Sequence, residues 1–283
     1  MKTKKLMLFA FRLAVVIALA SVAALPAAAQ DRDDHRDHLR GWERECSLRT
    51  LHGGYGIFVQ GTLVAAPYYP FVVSGLFTYD GEGNVSGTYN QSVGGGISAG
   101  TAEGTYQVNP DCTYSAELTL SNGSVVHRVG TITGEGMQQE IHIVYTDPTS
   151  VAFGTLKKTP ERCSLETLKG DYALFGQGTI FLSATSSIAR ATAGILTFDG
   201  AGNFSGEATG NTNGTSAQGG FIGTYAVSPE CEVSAEITVT SGPNQGLVLD
   251  EAGSVTGEGE SKEIHDIFTT AHWVFTDTLK KQR

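Results

Sequence analysis

The chain has 283 residues, of which 40% are hydrophobic, with 19 basic and 29 acidic side chains and four cysteines. Its first 29 residues hold four of the basic groups (Lys2, Lys4, Lys5, Arg12) and none of the acidic ones, so the remainder carries 15 against 29, a formal net charge of −14. A surface of that sign, with no basic stripe, excludes nucleic acid and anionic membrane as partners.

In chain order, the basic start, the apolar run over 13–25 and Ala27-Ala28-Ala29 predict a signal peptide over 1–29, removed near Gln30. The mature protein is then secreted or periplasmic, with no stable membrane insertion. Residues 30–45 include "DRDDHRDHLRGWERE" and predict a flexible acidic segment.

From Cys46 the chain is written twice. "CSLRTLHGGYGIFVQGT" at Cys46 returns as "CSLETLKGDYALFGQGT" at Cys163, 117 residues on. The offset is 119 at "GLFTYDGEGNVSG" (from Gly75) and "GILTFDGAGNFSG" (from Gly194), and 123 at the two "TLKK" endings (Thr155, Thr278). A period this long marks a duplicated domain, since solenoid units run at roughly 20 to 50 residues. The copies span 46–158 and 159–283. Four cysteines in an exported chain predict disulfides, and four allow three pairings. The repeat selects Cys46 with Cys112 and Cys163 with Cys231.

Within the first copy, short stretches rich in Val, Ile, Thr, Phe and Tyr alternate with clusters of Gly, Asn, Asp and Ser, which predicts strands and turns. Eight strands are expected, near 54–62, 71–79, 84–91, 101–108, 113–120, 124–133, 138–145 and 149–156. Period-2 alternation puts Tyr55, Ile57 and Val59 on one face of a strand, Phe77 with Tyr79, and Tyr106 with Val108. The second copy repeats these as Tyr172, Leu174, Leu196, Phe198, Tyr225 and Val227. No stretch of the mature chain has a helical period. The expected fold is all-β, as two tandem antiparallel up-and-down barrels, with β-sandwiches as the alternative the same pattern permits.

The openings "LHGGYGIF" (from Leu51) and "LKGDYALF" (from Leu168) resemble the G-x-W start of the first strand in lipocalins and related calycins, with Tyr55 and Tyr172 in place of Trp. The resemblance implies that a basic residue after the last strand, Lys157 or Lys280, covers that ring. It further implies a barrel whose cavity takes a small apolar molecule.

Three motifs bear on chemistry. Asp80, Glu82 and Asn84 have the spacing of oxygen ligands in short calcium loops. The second copy puts Ala201 where Glu82 stands, so what recurs is the Asp-Gly and Gly-Asn chemistry of a tight turn. Glu140 with His142, and Glu263 with His265, lie two apart on a strand and could hold a divalent metal or act as acid and base. The opposite face of that strand carries Ile143 in one copy and Asp266 in the other, so alternation does not say which face is the core. No H-E-x-x-H, C-x-x-C or phosphate loop is present, and no cofactor is called for.

The expectation is a binder of a small apolar or amphipathic ligand, lined by Phe77, Tyr79, Tyr106 and Val108 in one copy and Leu196, Phe198, Tyr225 and Val227 in the other. The alternatives are an interaction or structural module with packed barrels, its protein partner unspecified, and a barrel isomerase or cyclase using the Glu and His pairs.

Overall fold

The computed structural model describes residues 45–283; the expected signal peptide and nearly all of the acidic segment lie outside the described residues. Sixteen strands follow in order. The first eight are β1 His52–Leu63, β2 Pro70–Asp80, β3 Asn84–Val93, β4 Gly96–Val108, β5 Thr113–Leu120, β6 Val125–Thr133, β7 Glu140–Tyr145 and β8 Ser150–Lys158. The second eight are β9 Gly170–Ser183, β10 Ser186–Phe198, β11 Asn203–Thr212, β12 Thr215–Val227, β13 Glu232–Val239, β14 Val248–Thr256, β15 Glu263–Phe268 and β16 Trp273–Lys281. Within each set of eight, every strand pairs antiparallel with its neighbours in sequence, and β1 closes on β8 as β9 closes on β16. The result is two closed eight-stranded barrels, not sandwiches. Closure leaves no unpaired edge to recruit another chain. No helix among the described residues is long and apolar enough to cross a membrane.

The recurring hairpin is a turn held by one carboxylate. Asp80 Oδ1 accepts from the backbone N–H of Glu82 at 2.7 Å and of Asn84 at 3.0 Å, while Asn84 Nδ2 donates to Oδ2 at 2.6 Å. Asp199 repeats the set with Ala201 and Asn203 at 2.7, 3.0 and 2.7 Å. Both carboxylate oxygens are therefore engaged within the turn. Gly81 and Gly83 supply the positive φ, +80° and +111°, that the path requires. The bonds from Asn84 hold Asp80 down to about 2. A carboxylate depressed in the folded state contributes stability above its unfolded pKa and loses it as pH falls through the folded one. Asp80→Ala should therefore lower the melting temperature at pH 7 and leave it unchanged below pH 2; equal shifts at both pH values would contradict this account of the turn.

One end of each barrel is filled by aromatic rings. Tyr79 stands edge-on to Tyr55 and Tyr106, with centroids 5.2 and 4.9 Å away, and its hydroxyl hydrogen-bonds that of Tyr114 at 2.8 Å. The Tyr106 hydroxyl donates to the carbonyls of Leu48 and Leu51, tying down the short turn that precedes β1. In the second barrel Tyr172, Phe198, Phe204 and Tyr225 form the same plug, and the Tyr225 hydroxyl donates to Leu165 O at 3.0 Å. Cys46–Cys112 and Cys163–Cys231 are both disulfide-bonded and fasten this turn to the hairpin after β4 or β12.

The lysine over the first-strand ring is one residue later than the resemblance implied. Lys158 Nζ lies 4.6 Å from the centroid of Tyr55, and Lys281 Nζ 4.8 Å from that of Tyr172. Strand alternation explains the correction: Leu156 and Leu279 face inward, so Lys157 and Lys280 face outward and their successors turn in over the barrel end.

The barrels pack side by side, β1 to β3 against β14 to β16. Val72, Ile267 and Val274 form a small buried cluster on the outer faces, and Phe58 packs 5.7 Å from the His265 ring. Ser74 Oγ donates to His265 O at 3.1 Å and Ser92 Oγ to Trp273 O at 2.6 Å. Gly56 is required here, because a Cβ would run into the side chains of Ser254 and Thr256.

Candidate functional site

The second barrel is not full. Above its aromatic plug lies a cavity of about 410 Å³, walled by inward side chains that include Leu174, Leu196, Phe221, Ile237, Phe268 and Phe275. Its lining runs to Pro243 and Asn244, exposed residues of the connection between β13 and β14. The first barrel keeps about 170 Å³. Two inward positions account for much of the difference. At the 119 offset Tyr89, buried in the first barrel, is replaced by Ala208, and Phe71 by Arg190.

Charge enters the cavity on three neighbouring strands. Glu251 on β14, Asp266 on β15 and Asp277 on β16 all face inward, 9%, 4% and 4% exposed. One carboxylate oxygen from each lies within 4.8 Å of the others; among the described residues they form the one such group of three or more metal-capable side chains. Asp266 sits directly across from Asp277 in the ladder. Glu251 and Asp277 belong to the cavity wall, with Asp266 completing the cluster. Glu251 Oε1, Asp266 Oδ1 and Asp277 Oδ1 have no hydrogen-bond partner.

Burial raises all three carboxyls. Glu251 and Asp266 stand well above the ordinary carboxylate range, raised further by the like charges around them. Burial pushes Asp277 up to about 7, against the downward pull of the Glu251 carboxyl and the Arg190 guanidinium. Arg190, on β10, is in the same wall; its Nη1 donates to Thr212 at 2.8 Å and its guanidinium lies 5.9 Å from the Trp273 centroid. Burial lowers its own pKa.

Glycines make the room. Gly176 pairs with Asp277, and a Cβ there would fall on the Asp277 carboxylate. A Cβ at Gly210 would come within 2.8 Å of the Arg190 guanidinium. The first barrel holds the reverse arrangement. Its Val59 is paired with Gly154, where a Cβ would come within 2.7 Å of Val59. Large-opposite-small has become small-opposite-large, and the bulk gained is a carboxylate.

The 123 offset matches Arg128, Ile143 and Gly154 to Glu251, Asp266 and Asp277. Arg128 is 3% exposed, with its guanidinium 5.0 Å from the centroid of Phe77 and 5.4 Å from that of Tyr145, and its Nε and Nη1 are unpaired. The two interiors thus carry opposite charge at one matching position, Arg128 against Glu251.

Of the residues expected to line a ligand site, Phe77 and Leu196 do border cavities. Tyr79, Tyr106, Phe198 and Tyr225 are stacked in the plugs, and Val108 and Val227 pack partly buried against the same cores. The Glu and His pairs face outward at the seam between the barrels. Lys157 stands between Glu140 and Glu263 at 3.0 and 2.5 Å, Lys280 is 2.7 Å from Glu263, and the histidines pair with their own strand's glutamate at 3.5 and 3.0 Å. Burial would raise Glu263, but His265, Lys157 and Lys280 together hold it far below the usual range.

Sequence reasoning noticed Asp266 and missed Glu251, Asp277 and Arg190. The usable signal was the copy-to-copy comparison at inward positions: a duplicated core that exchanges Arg, Ile and Gly for three acids has changed its interior chemistry. No protein-family model matches the chain, and no curated protein matches it significantly.

Proposed function

We propose that this is an exported carrier or sequestering protein whose second barrel holds one small amphipathic molecule. The observation that carries the reading is the cavity of about 410 Å³, inside the roughly 300–1,000 Å³ range of small-molecule sites and walled mainly by apolar side chains with a few convergent polar ones. The calycin-like openings of both copies and the signal peptide expected over residues 1–29 support it. The first barrel, packed with Phe71, Tyr89 and Arg128, serves as the buttress against which β14 to β16 are held.

The test is titration of mature protein with N-phenyl-1-naphthylamine, a neutral probe that fluoresces in apolar surroundings. Saturable binding at one site per chain is expected, and Ala208→Tyr, which restores the first-copy residue, should weaken it at least tenfold. Absent binding, or binding indifferent to Ala208→Tyr, would overturn the reading in favour of an interaction module with packed barrels.

A further inference from the structure

Resting on that reading of the second-barrel cavity, we propose that the ligand's polar end is a cation, an aliphatic or aromatic ammonium group held by Glu251, Asp266 and Asp277. The acids are not needed for the fold. The first barrel closes in the same register with Arg128, Ile143 and Gly154 at the matching positions. A buried acceptor left unpaired is destabilising, more so for a charged group, so three together are retained against stability.

The chemistry of the set selects the partner. Three carboxylate oxygens are without a donor, and an ammonium brings three N–H donors and no acceptor. Arg190 can offset one negative charge at most, so a bound cation is what lets the other acids ionise. A hydroxyl head offers a single donor and leaves two oxygens unpaired. A carboxylate head adds repulsion. The apolar walls and the rings of Phe221, Trp273 and Phe275 take the rest of the molecule, and aromatic faces add attraction for a cation. A bare divalent ion would leave those walls unused.

The experiment is displacement of N-phenyl-1-naphthylamine from the mature full chain at pH 8 by octylammonium, 1-octanol and octanoate, which share one chain length. Octylammonium should displace the probe at a concentration at least tenfold below that of 1-octanol, with octanoate weakest. In Glu251→Gln/Asp277→Asn the amine should lose this advantage over 1-octanol. Asp277→Asn alone carries the same test if the double variant does not fold. Equal potency of amine and alcohol in the unaltered protein, or an advantage that survives the substitutions, would overturn the cation assignment while leaving the cavity reading intact. Failure of the probe itself to bind would overturn the cavity reading instead.

Discussion

Asp277→Asn is expected to stabilise the protein at pH 8 by about 4 kcal/mol and to change little at pH 4. The carboxyl keeps its proton up to about 7 in the folded barrel because it is buried, whereas an unfolded chain releases it near the ordinary 3.8. Between those values the folded state binds one proton more than the unfolded state, so stability falls as pH rises, by about 1.4 kcal/mol per unit over roughly three units. The contribution is fully present below about pH 4 and lost once pH passes 7. Asparagine has no proton to lose and escapes the decline. Glu251, Asp266 and Arg190 face the same group, and removing one negative charge also relieves the two acids beside it. Thermal melts of both proteins at pH 4, 6 and 8 check this. A shift of the same size at every pH would mean that repacking, not titration, is responsible.

Removing the second disulfide should cost about as much. Cys163 and Cys231 are 68 residues apart, and the chain-entropy estimate for a ring of that size is about 4 kcal/mol. Against a typical total of roughly 5–15 kcal/mol this is a large fraction. The bond also anchors the turn whose Leu165 carbonyl accepts from Tyr225, so the aromatic plug loosens with it. Cys163→Ala/Cys231→Ala should lower the urea midpoint accordingly, and reductant, which also opens Cys46–Cys112, should lower that of the unaltered protein at least as far. A loss below about 1 kcal/mol would show that strand pairing alone holds the turn in place.

Much of the architecture is local and was legible. Strands need period-2 alternation and hairpins need residues that accept a positive φ, and both are written into stretches such as "GLFTYDGEGNVSG" without reference to the rest of the chain. Duplication supplied what local pattern could not: the disulfide pairing, and the turn reading of Asp80 once Ala201 was seen in place of Glu82. Closure into barrels over sandwiches was not legible, because it depends on β1 meeting β8, a pairing of segments far apart in sequence.

The site itself was decided by tertiary structure. Alternation sorts residues into two faces but does not name the inner one when polar residues stand on both, as in "EIHDIF" of β15. The outer face of that strand is buried as well, against the first barrel, so Ile267 gave no guide. Glu251, Asp266 and Asp277 lie on three strands, and only the register of β14, β15 and β16 brings their carboxylates within 4.8 Å. The space beside them depends on Gly176, whose absent side chain acquires meaning only opposite Asp277. By itself the sequence determined two disulfide-closed β domains of one pattern. Which of them was left hollow, and with what charge inside, followed from long-range pairing, where one residue's volume and polarity act on neighbours distant in the chain.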